Sequence, residues 1–318
     1  MSNAGHILAL SGGVGGAKLA AGLAAVLAPD RLTVVVNTGD DFEHLGLTIC
    51  PDIDSVTYAM AGLNDWSRGW GVAEESWQAL GMLKALGEAD WFMLGDRDLA
   101  MHIGRSWRLR AGESLSAVTR RLTAGLGIGP AVVPMCDAPL RTQVETAEGW
   151  MDFQRYFVAE QCKPEVQSIR FAGAEDSTMA AGFAEALARA DLAAVIICPS
   201  NPFLSVDPIL AVPGVRTALA GLDVPVLAVS PLIGGKAVKG PLAKLLAEMG
   251  IEAGNAAIAR HYGKLVSHMV IDASDADDAQ GLRMAGLCVT VAETMMRCGA
   301  DQERLARRVL DDLGIEAD

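Results

Sequence analysis

The stretch His6-Ile-Leu-Ala-Leu-Ser-Gly-Gly-Val-Gly-Gly-Ala-Lys18, read on to Asn37, decides the fold. His6–Leu10 is a short apolar run, Gly12–Gly16 is a glycine loop, and Ala17–Leu27 has helical spacing and strong helix formers. Pro29-Asp30 stops that helix, and Leu32–Asn37 is rich in β-branched residues, as a second strand would be. Strand, helix and strand in close succession make a βαβ unit. Its right-handed crossover predicts two parallel strands in one sheet.

Outward from this unit, the last third of the chain keeps the same rhythm. Ser177–Arg189 reads as a helix, Ala193–Pro199 as a buried strand, and Val224–Val229 as another strand. A helix over Pro241–Met249, a strand over Met269–Asp272 and a helix over Leu305–Leu313 follow. Between the two regions the spacing predicts helices over Ser55–Leu63, Val72–Leu86, Asp96–Arg105 and Ser114–Ala124, the last capped by Ser114. Ala131–Met135, Thr142–Thr146 and Val166–Phe171 read as strands around an aromatic stretch, Trp150–Phe157. The expectation is an α/β, doubly wound, Rossmann-like chain with a mostly parallel sheet. Residues 5–318 form a single nucleotide-binding domain in this reading, with a helical and irregular cap inserted roughly within 55–175.

Composition narrows the function. Half of the 318 residues are apolar and the formal net charge is −13, which argues against a general nucleic-acid binder, since that needs a basic face. A small anion is not excluded, because backbone amides and a few local cations hold phosphate inside acidic proteins. The longest apolar run, Leu192–Val206, is broken by Pro199, Asn201 and Pro202, too early for a membrane span. With no basic-then-apolar leader, the expectation is a soluble, cytoplasmic protein. The six cysteines form no C-x-x-C pair and read as free, buried thiols of a reducing compartment.

Four segments carry candidate chemistry. In the glycine loop, Gly12, Gly13, Gly15 and Gly16 let backbone approach a phosphate, with Lys18 and the helix N-terminus beside it. As a Walker loop it lacks the second Gly (Ala17) and the magnesium-binding Ser or Thr (Leu19). As a dinucleotide fingerprint it has Lys18 in place of the third Gly. The structural alternative is a tight strand-to-helix turn.

Beyond the second strand, Asn37-Thr-Gly-Asp-Asp-Phe-Glu-His44 and Pro51-Asp-Ile-Asp54 concentrate hard oxygen ligands suited to Mg²⁺. One aspartate would instead take a proton from an attacking hydroxyl; structurally, Asp52 or Asp54 would cap the helix at Ser55. Spacing does not say which aspartate does what. Cys198-Pro-Ser-Asn-Pro-Phe203 ends a buried strand and offers Ser200 and Asn201 to a phosphate or base edge, or forms an ordinary turn. Ser230-Pro-Leu-Ile-Gly-Gly-Lys-Ala-Val-Lys-Gly-Pro241, with Lys236, suggests a second anion contact. Asp96, Asp98 and His102 read as a solvated helix start, Asp137–Thr142 as a substrate loop or turn, and His261 and His268 as surface residues. No nucleophile elbow appears, so a covalent hydrolase is unsupported.

In this order the motifs resemble the 2-phospho-L-lactate transferase family of coenzyme F420 biosynthesis. The resemblance runs from Ile7 into the last hundred residues. It rests on the glycine loop, Asn37–Asp41, Cys50–Asp54, Leu94-Gly-Asp-Arg-Asp-Leu-Ala100, Pro199–Pro202 with Pro208-Ile-Leu-Ala-Val-Pro-Gly214, and Ser230–Lys236. It implies transfer of a phosphorylated three-carbon acid from a guanosine diphosphate conjugate to the ribitol hydroxyl of the deazaflavin Fo, with release of GMP. It also implies Mg²⁺ as cofactor and a homodimer. By this analogy Asp41 and Asp54 are the catalytic, metal-holding pair. Asp40 and Asp52 stand next to them. Gly12, Gly13, Gly15, Gly16, Lys18, Thr38, Ser200, Asn201 and Lys236 hold the nucleotide, and His44 is a contact for Fo. Three rivals share parts of the pattern. A nucleotide-sugar-binding regulatory protein would need no poised aspartates. An NTPase is disfavoured by Leu19. A nicotinamide-dependent oxidoreductase is disfavoured because the second strand ends in Asn37 rather than an acid.

Overall fold

The computed structural model describes residues 5–238 and 240–318. The glycine loop joins a strand, His6–Ser11 (β1), to a helix, Gly13–Val26 (α1), and Leu32–Val36 (β2) returns parallel to β1 with Ile7 opposite Leu32. Ala131–Pro134 (β3), Leu192–Ile197 (β4), Val226–Val229 (β5), His268–Asp272 (β6) and Cys288–Ala292 (β7) complete a seven-stranded sheet in the order β7-β6-β5-β4-β1-β2-β3. Every neighbouring pair is parallel. The order reverses between β1 and β4, and the carboxyl ends of those strands form the crevice where such sheets take ligands.

The strands are apolar at consecutive positions because both faces of the sheet are covered. Ile7, Ala9, Val34, Val36, Ala194 and Ile196 pack under α1, the helix Pro51–Met60 (α2) and the C-terminal helix Gly299–Asp312. Leu8, Leu10, Val35, Val195 and Ile197 face the opposite way, toward Phe183, Ile209, Leu210, Leu245 and Ile258. The sheet is doubly wound, as expected.

Two insertions surround the crevice. Between β2 and β3 lie the hairpin Phe42–His44 with Leu47–Ile49, then α2, Gln78–Ala85 (α3), Asp96–Arg110 (α4) and Leu115–Gly125 (α5). Between β3 and β4 lies an antiparallel sheet of Arg141–Thr146 flanked by Gly149–Asp152 and Ser168–Ala172, with a π-helical turn over Arg155–Ala159. The stretch expected as one cap is thus divided by β3. No helix of the described residues is long and apolar enough to cross a membrane.

Several boundaries differ from the sequence reading. α2 begins at Pro51, a favoured first helical residue, so Asp52 and Asp54 lie inside its first turn instead of ahead of it. The helix expected over Val72–Leu86 shortens to α3, because Val72 bridges to Asn64 in a closed loop. β7, an exposed-to-intermediate edge strand, and the helix Asn255–Tyr262 carried no periodic signal strong enough to be read. Only Cys50, Cys136 and Cys198 among the free cysteines are buried; Cys288 and Cys298 are exposed.

α1 and the C-terminal helix approach so closely that a Cβ on Gly22 would sit 2.3 Å from the carbonyl oxygen of Gln302. Gly22→Ala should therefore cost about 1–3 kcal/mol in urea unfolding. Gly81→Ala, in α3 with nothing within 4 Å of the new methyl, should instead gain about 0.4–1 kcal/mol.

Candidate active site

At the carboxyl edge of the sheet a cavity of about 620 Å³ opens between the loops that leave β1, β2, β4 and β5 and the two insertions. Gly12, Gly13, Gly15, Lys18, Asp40, Asp52, Asp54, Ser200 and Asn201 all line it, so most of the residues singled out in the sequence meet in one place.

Asp52 fastens the glycine loop. Its Oδ1 accepts the N–H of Gly13 at 2.7 Å and its Oδ2 accepts Asn37 Nδ2 at 2.8 Å, while Asn37 Oδ1 accepts the N–H of Gly39 at 2.8 Å. One carboxylate thereby joins the start of α1, the first turn of α2 and the end of β2. Burial pushes its carboxyl up to about 6 despite these hydrogen bonds. Ser200 closes the other side: its hydroxyl accepts from the Gly12 N–H (3.2 Å) and donates to the Gly12 carbonyl (2.8 Å).

The glycines have two reasons to be glycine. A Cβ on Gly15 would lie 2.4 Å from the Pro199 carbonyl oxygen, and one on Gly16 would lie 2.6 Å from Ser200 Oγ, so these two permit the β1 and β4 loops to touch. Gly13, at φ +63°, has only Ser205 Oγ nearby, at 3.8 Å, and keeps its face toward the cavity. The tight-turn reading thus holds for Gly15 and Gly16, while Gly13 alone of the three leaves its face open to the cavity. Asn201 shapes its own turn, its Oδ1 accepting from Phe203 N (3.0 Å) and Leu204 N (3.3 Å).

The acidic wall is completed by α4. Arg105 is fully buried and grips both oxygens of Asp54, with Nη1 at 3.1 Å from Oδ2 and Nη2 on Oδ1. The same Nη1 reaches the Thr48 carbonyl and His102 Nδ1, each at 3.3 Å. His102 lies between two carboxylates, Nδ1 3.6 Å from Asp54 and Nε2 3.3 Å from Asp98, and Tyr58 donates its hydroxyl to Asp98 at 2.5 Å. Asp54, Asp98 and His102 offer ligand atoms within 4.8 Å of one another. Two carboxylates and an imidazole, with the unpartnered Oδ1 of Asp40 in the same cavity, are able to ligate a divalent cation, the carboxylates as the hard donors and Asp54 sharing its oxygens with Arg105. Burial, and then the negative charge of Asp52, push the Asp40 carboxyl well above the ordinary carboxylate range.

Other residues picked from the sequence lie elsewhere. Asp41 is buried behind the cavity wall and does not line it; burial raises its carboxyl to about 7, and Cys50 is its hydrogen-bonding neighbour. Successive residues of the turn after β2 point apart, so Asp40, not Asp41, faces the cavity, beside Asp52. Gly16 is covered, Thr38 contacts Cys136 Sγ at 3.7 Å, and His44 packs among Phe42, Trp91 and Phe92. Lys236 is exposed on a small hairpin and does not line the cavity. The neighbouring amides of Gly234 and Gly235 already hold the Asp275 carboxylate at 3.0 and 2.6 Å. Lys239 lies outside the described residues. Lys18 lines the cavity, but its ammonium donates to the Met296 carbonyl at 2.8 Å and sits 5.2 Å from the Trp66 ring.

The solvated-cap reading of α4 holds for Asp96, which caps α3 through the N–H groups of Gln78 and Ala79, but fails for Asp98 and His102. Asp137 similarly receives the N–H of Ser116. Arg105 was not read from the sequence at all, although Asp98, His102 and Arg105 fall at i, i+4 and i+7, one face of a helix. The aromatic wall of Trp70, Phe92, Phe153 and Phe157 had no such signal, since three distant segments supply it.

Two substitutions test this electrostatic arrangement. Asp40→Asn removes a buried charge held against its own desolvation and should leave the melting temperature unchanged or raise it by a few degrees. Arg105→Met strands Asp54 and should destabilise by about 3–5 kcal/mol in denaturant unfolding.

Comparison with known proteins shows the family. The family described as 2-phospho-L-lactate transferase CofD matches residues 7–304. A phosphoenolpyruvate transferase of Kitasatospora aureofaciens is 39% identical over 96% of this chain and 97% of its own. A 2-phospho-L-lactate transferase of Methanosarcina mazei is 35% identical over 96% of this chain and 99% of its own. Among solved structures, a UPF0052-family protein of Bacillus halodurans superimposes with a TM-score of 0.62 at 14% identity, over 96% of this chain and 98% of that one, a likeness of fold alone. With a family match and full-length relatives both naming transferases, the chain belongs to the CofD family of 2-phospho-L-lactate transferases.

Proposed function

We propose that the protein transfers a phosphorylated three-carbon acid, phospholactate, phosphoenolpyruvate or a close analogue, from its guanosine diphosphate conjugate to the terminal ribitol hydroxyl of Fo. The step belongs to coenzyme F420 biosynthesis. The observation that carries the reading is a single cavity whose wall runs from a glycine-loop helix N-terminus to a buried carboxylate cluster. One part suits a diphosphate and the other an attacking hydroxyl.

The hydroxyl oxygen attacks the phosphorus that bears the acid, the bond from that phosphorus to the bridging oxygen breaks, and GMP leaves. The first turn of α1 faces the diphosphate with its positive end, the Gly12 and Gly13 amides being held by Ser200 and Asp52 and the Cα face of Gly13 left open to the cavity. Asp40 is the carboxylate suited to take the hydroxyl proton at Oδ1, being buried, unpartnered there and raised in pKa. Asp54, immobilised by Arg105, orients the hydroxyl. Mg²⁺ would be held by Asp54, Asp98 and His102, and when bound it supplies charge neutralisation to the diphosphate. Little covalent work is asked of the protein; positioning and charge do most of it. A cytoplasmic homodimer is part of the same reading and rests on the family resemblance.

Full-length relatives named as transferases favour turnover over the regulatory binding module. Phosphoenolpyruvate is the first donor to assay, since relatives of that name show the somewhat higher identity, 39% against 35%. Purified protein with Fo, Mg²⁺ and each guanylated acid should yield a phosphodiester, seen by mass spectrometry, with one donor preferred. Asp40→Asn should lower kcat by about 100-fold or more while the fold is kept, and Asp54→Asn should lower it as much together with a loss of stability, because it strands Arg105. No product with any donor, from protein that binds guanine nucleotide, would return the assignment to a binding module.

A further inference from the structure

The segment from Asn64 to Trp77 is built far more tightly than a connecting loop needs. Asn64 and Val72 form a β-bridge, Asp65 N–H donates to the Gly71 carbonyl at 3.0 Å, and Gly69 N–H donates to the Asp65 carbonyl at 2.8 Å. The Asp65 carboxylate accepts from Ser67 N (2.8 Å), Ser67 Oγ (2.6 Å), Arg68 N (3.0 Å) and Arg68 Nε (2.9 Å). Arg68 in turn donates to the Val72 carbonyl at 2.6 Å. Its guanidinium lies 5.2 Å from the Trp70 ring centroid and 5.1 Å from that of Trp77. Gly69 and Gly71 take the left-handed conformations (φ +72° and +71°) that let the chain reverse around Trp70.

The product of all this order is a tryptophan left 43% exposed on the cavity wall. Met93, Phe157 and Val238 line the same cavity with 43%, 38% and 52% exposure. Exposed apolar surface on a rigid support is what a preorganised binding wall for a flat apolar group requires. The loop also packs beside Val14, Ala17 and Lys18 of α1 and Ser55, Tyr58 and Ala59 of α2. Ser200, Ser230 and Thr294, by contrast, come from the loops after β4, β5 and β7.

We propose that Trp70 is the stacking platform for the planar heteroaromatic ring of the acceptor, and that Arg68 is the positioning residue that holds it. The inference rests on the transferase reading above, and adds to it which wall recognises the acceptor. Tyr58 lines the space beside Trp70 and donates its hydroxyl to Asp98, so Trp70 stands toward the carboxylate wall at which the acceptor hydroxyl is presented.

Titration calorimetry of Fo and, separately, of GDP against the wild-type protein, Trp70→Ala, Trp70→Phe and Arg68→Met tests this, with circular dichroism confirming each fold. Trp70→Ala should weaken Fo binding about ten- to a hundredfold, as loss of one aromatic stacking partner does. Trp70→Phe should restore most of it, and Arg68→Met should weaken Fo several-fold with Trp70 still present. GDP affinity should stay unchanged throughout. Wild-type Fo affinity in a folded Trp70→Ala protein would overturn the platform. Weakened GDP binding with Fo unaffected would move the ring contact to the donor and overturn the acceptor assignment. A wild-type protein that binds GDP but no Fo would overturn the transferase reading itself.

Discussion

Everything at the carboxyl edge of the sheet depends on the Asp52 carboxylate. It reaches from the first turn of α2 to the Gly13 amide at the start of α1 and to the Asn37 amide at the end of β2. A carboxylate at a helix N-terminus is favourable on electrostatic grounds, and here it also occupies an amide that a phosphate would otherwise take. The loop is therefore held open by an internal anion before any ligand arrives. Ser200 repeats the device from the β4 side, using both its donor and its acceptor on one residue, Gly12.

Behind that clamp the molecule concentrates carboxylates in a place with little water. Asp40, Asp41, Asp52 and Asp54 are all buried, and Arg105 is a fully buried cation bound to one of them. Such an arrangement is unfavourable for stability, since burial disfavours charge and repulsion among neighbours adds to it. The upward direction of the Asp40, Asp41 and Asp52 carboxyls follows from the same burial. A fold tolerates it where chemistry needs groups ready to exchange a proton or to hold a cation.

The aromatic side of the cavity, Trp70, Phe92, Phe153 and Phe157, comes from the insertions, which also carry the carboxylate wall on α2 and α4, while the strand-end loops provide the glycine loop, Ser200 and Asn201. This division lets one doubly wound sheet serve different acceptors, since a scaffold at the switch point can be kept while the cover changes. The likeness to a UPF0052-family protein at 14% identity fits that view: the sheet persists where the sequence does not.

The amino-acid sequence by itself determined the βαβ start, the parallel doubly wound sheet and the segments from which the site is assembled. Local propensity and periodicity are properties of neighbouring residues, so His6–Lys18, Leu32–Asn37 and Ala193–Pro199 declared themselves. Only the tertiary structure decided which members of each segment face the cavity. Asp40 and Asp41 are adjacent in sequence and differ only in the direction a turn gives them. The Gly234-Gly235 amides resemble an anion site until Asp275, forty residues on, is found bonded to them. Arg105 and the Trp70 wall acquire meaning only when α4 and the Asn64–Trp77 loop are brought against α2, because long-range contact, unlike helix or strand propensity, leaves no local trace.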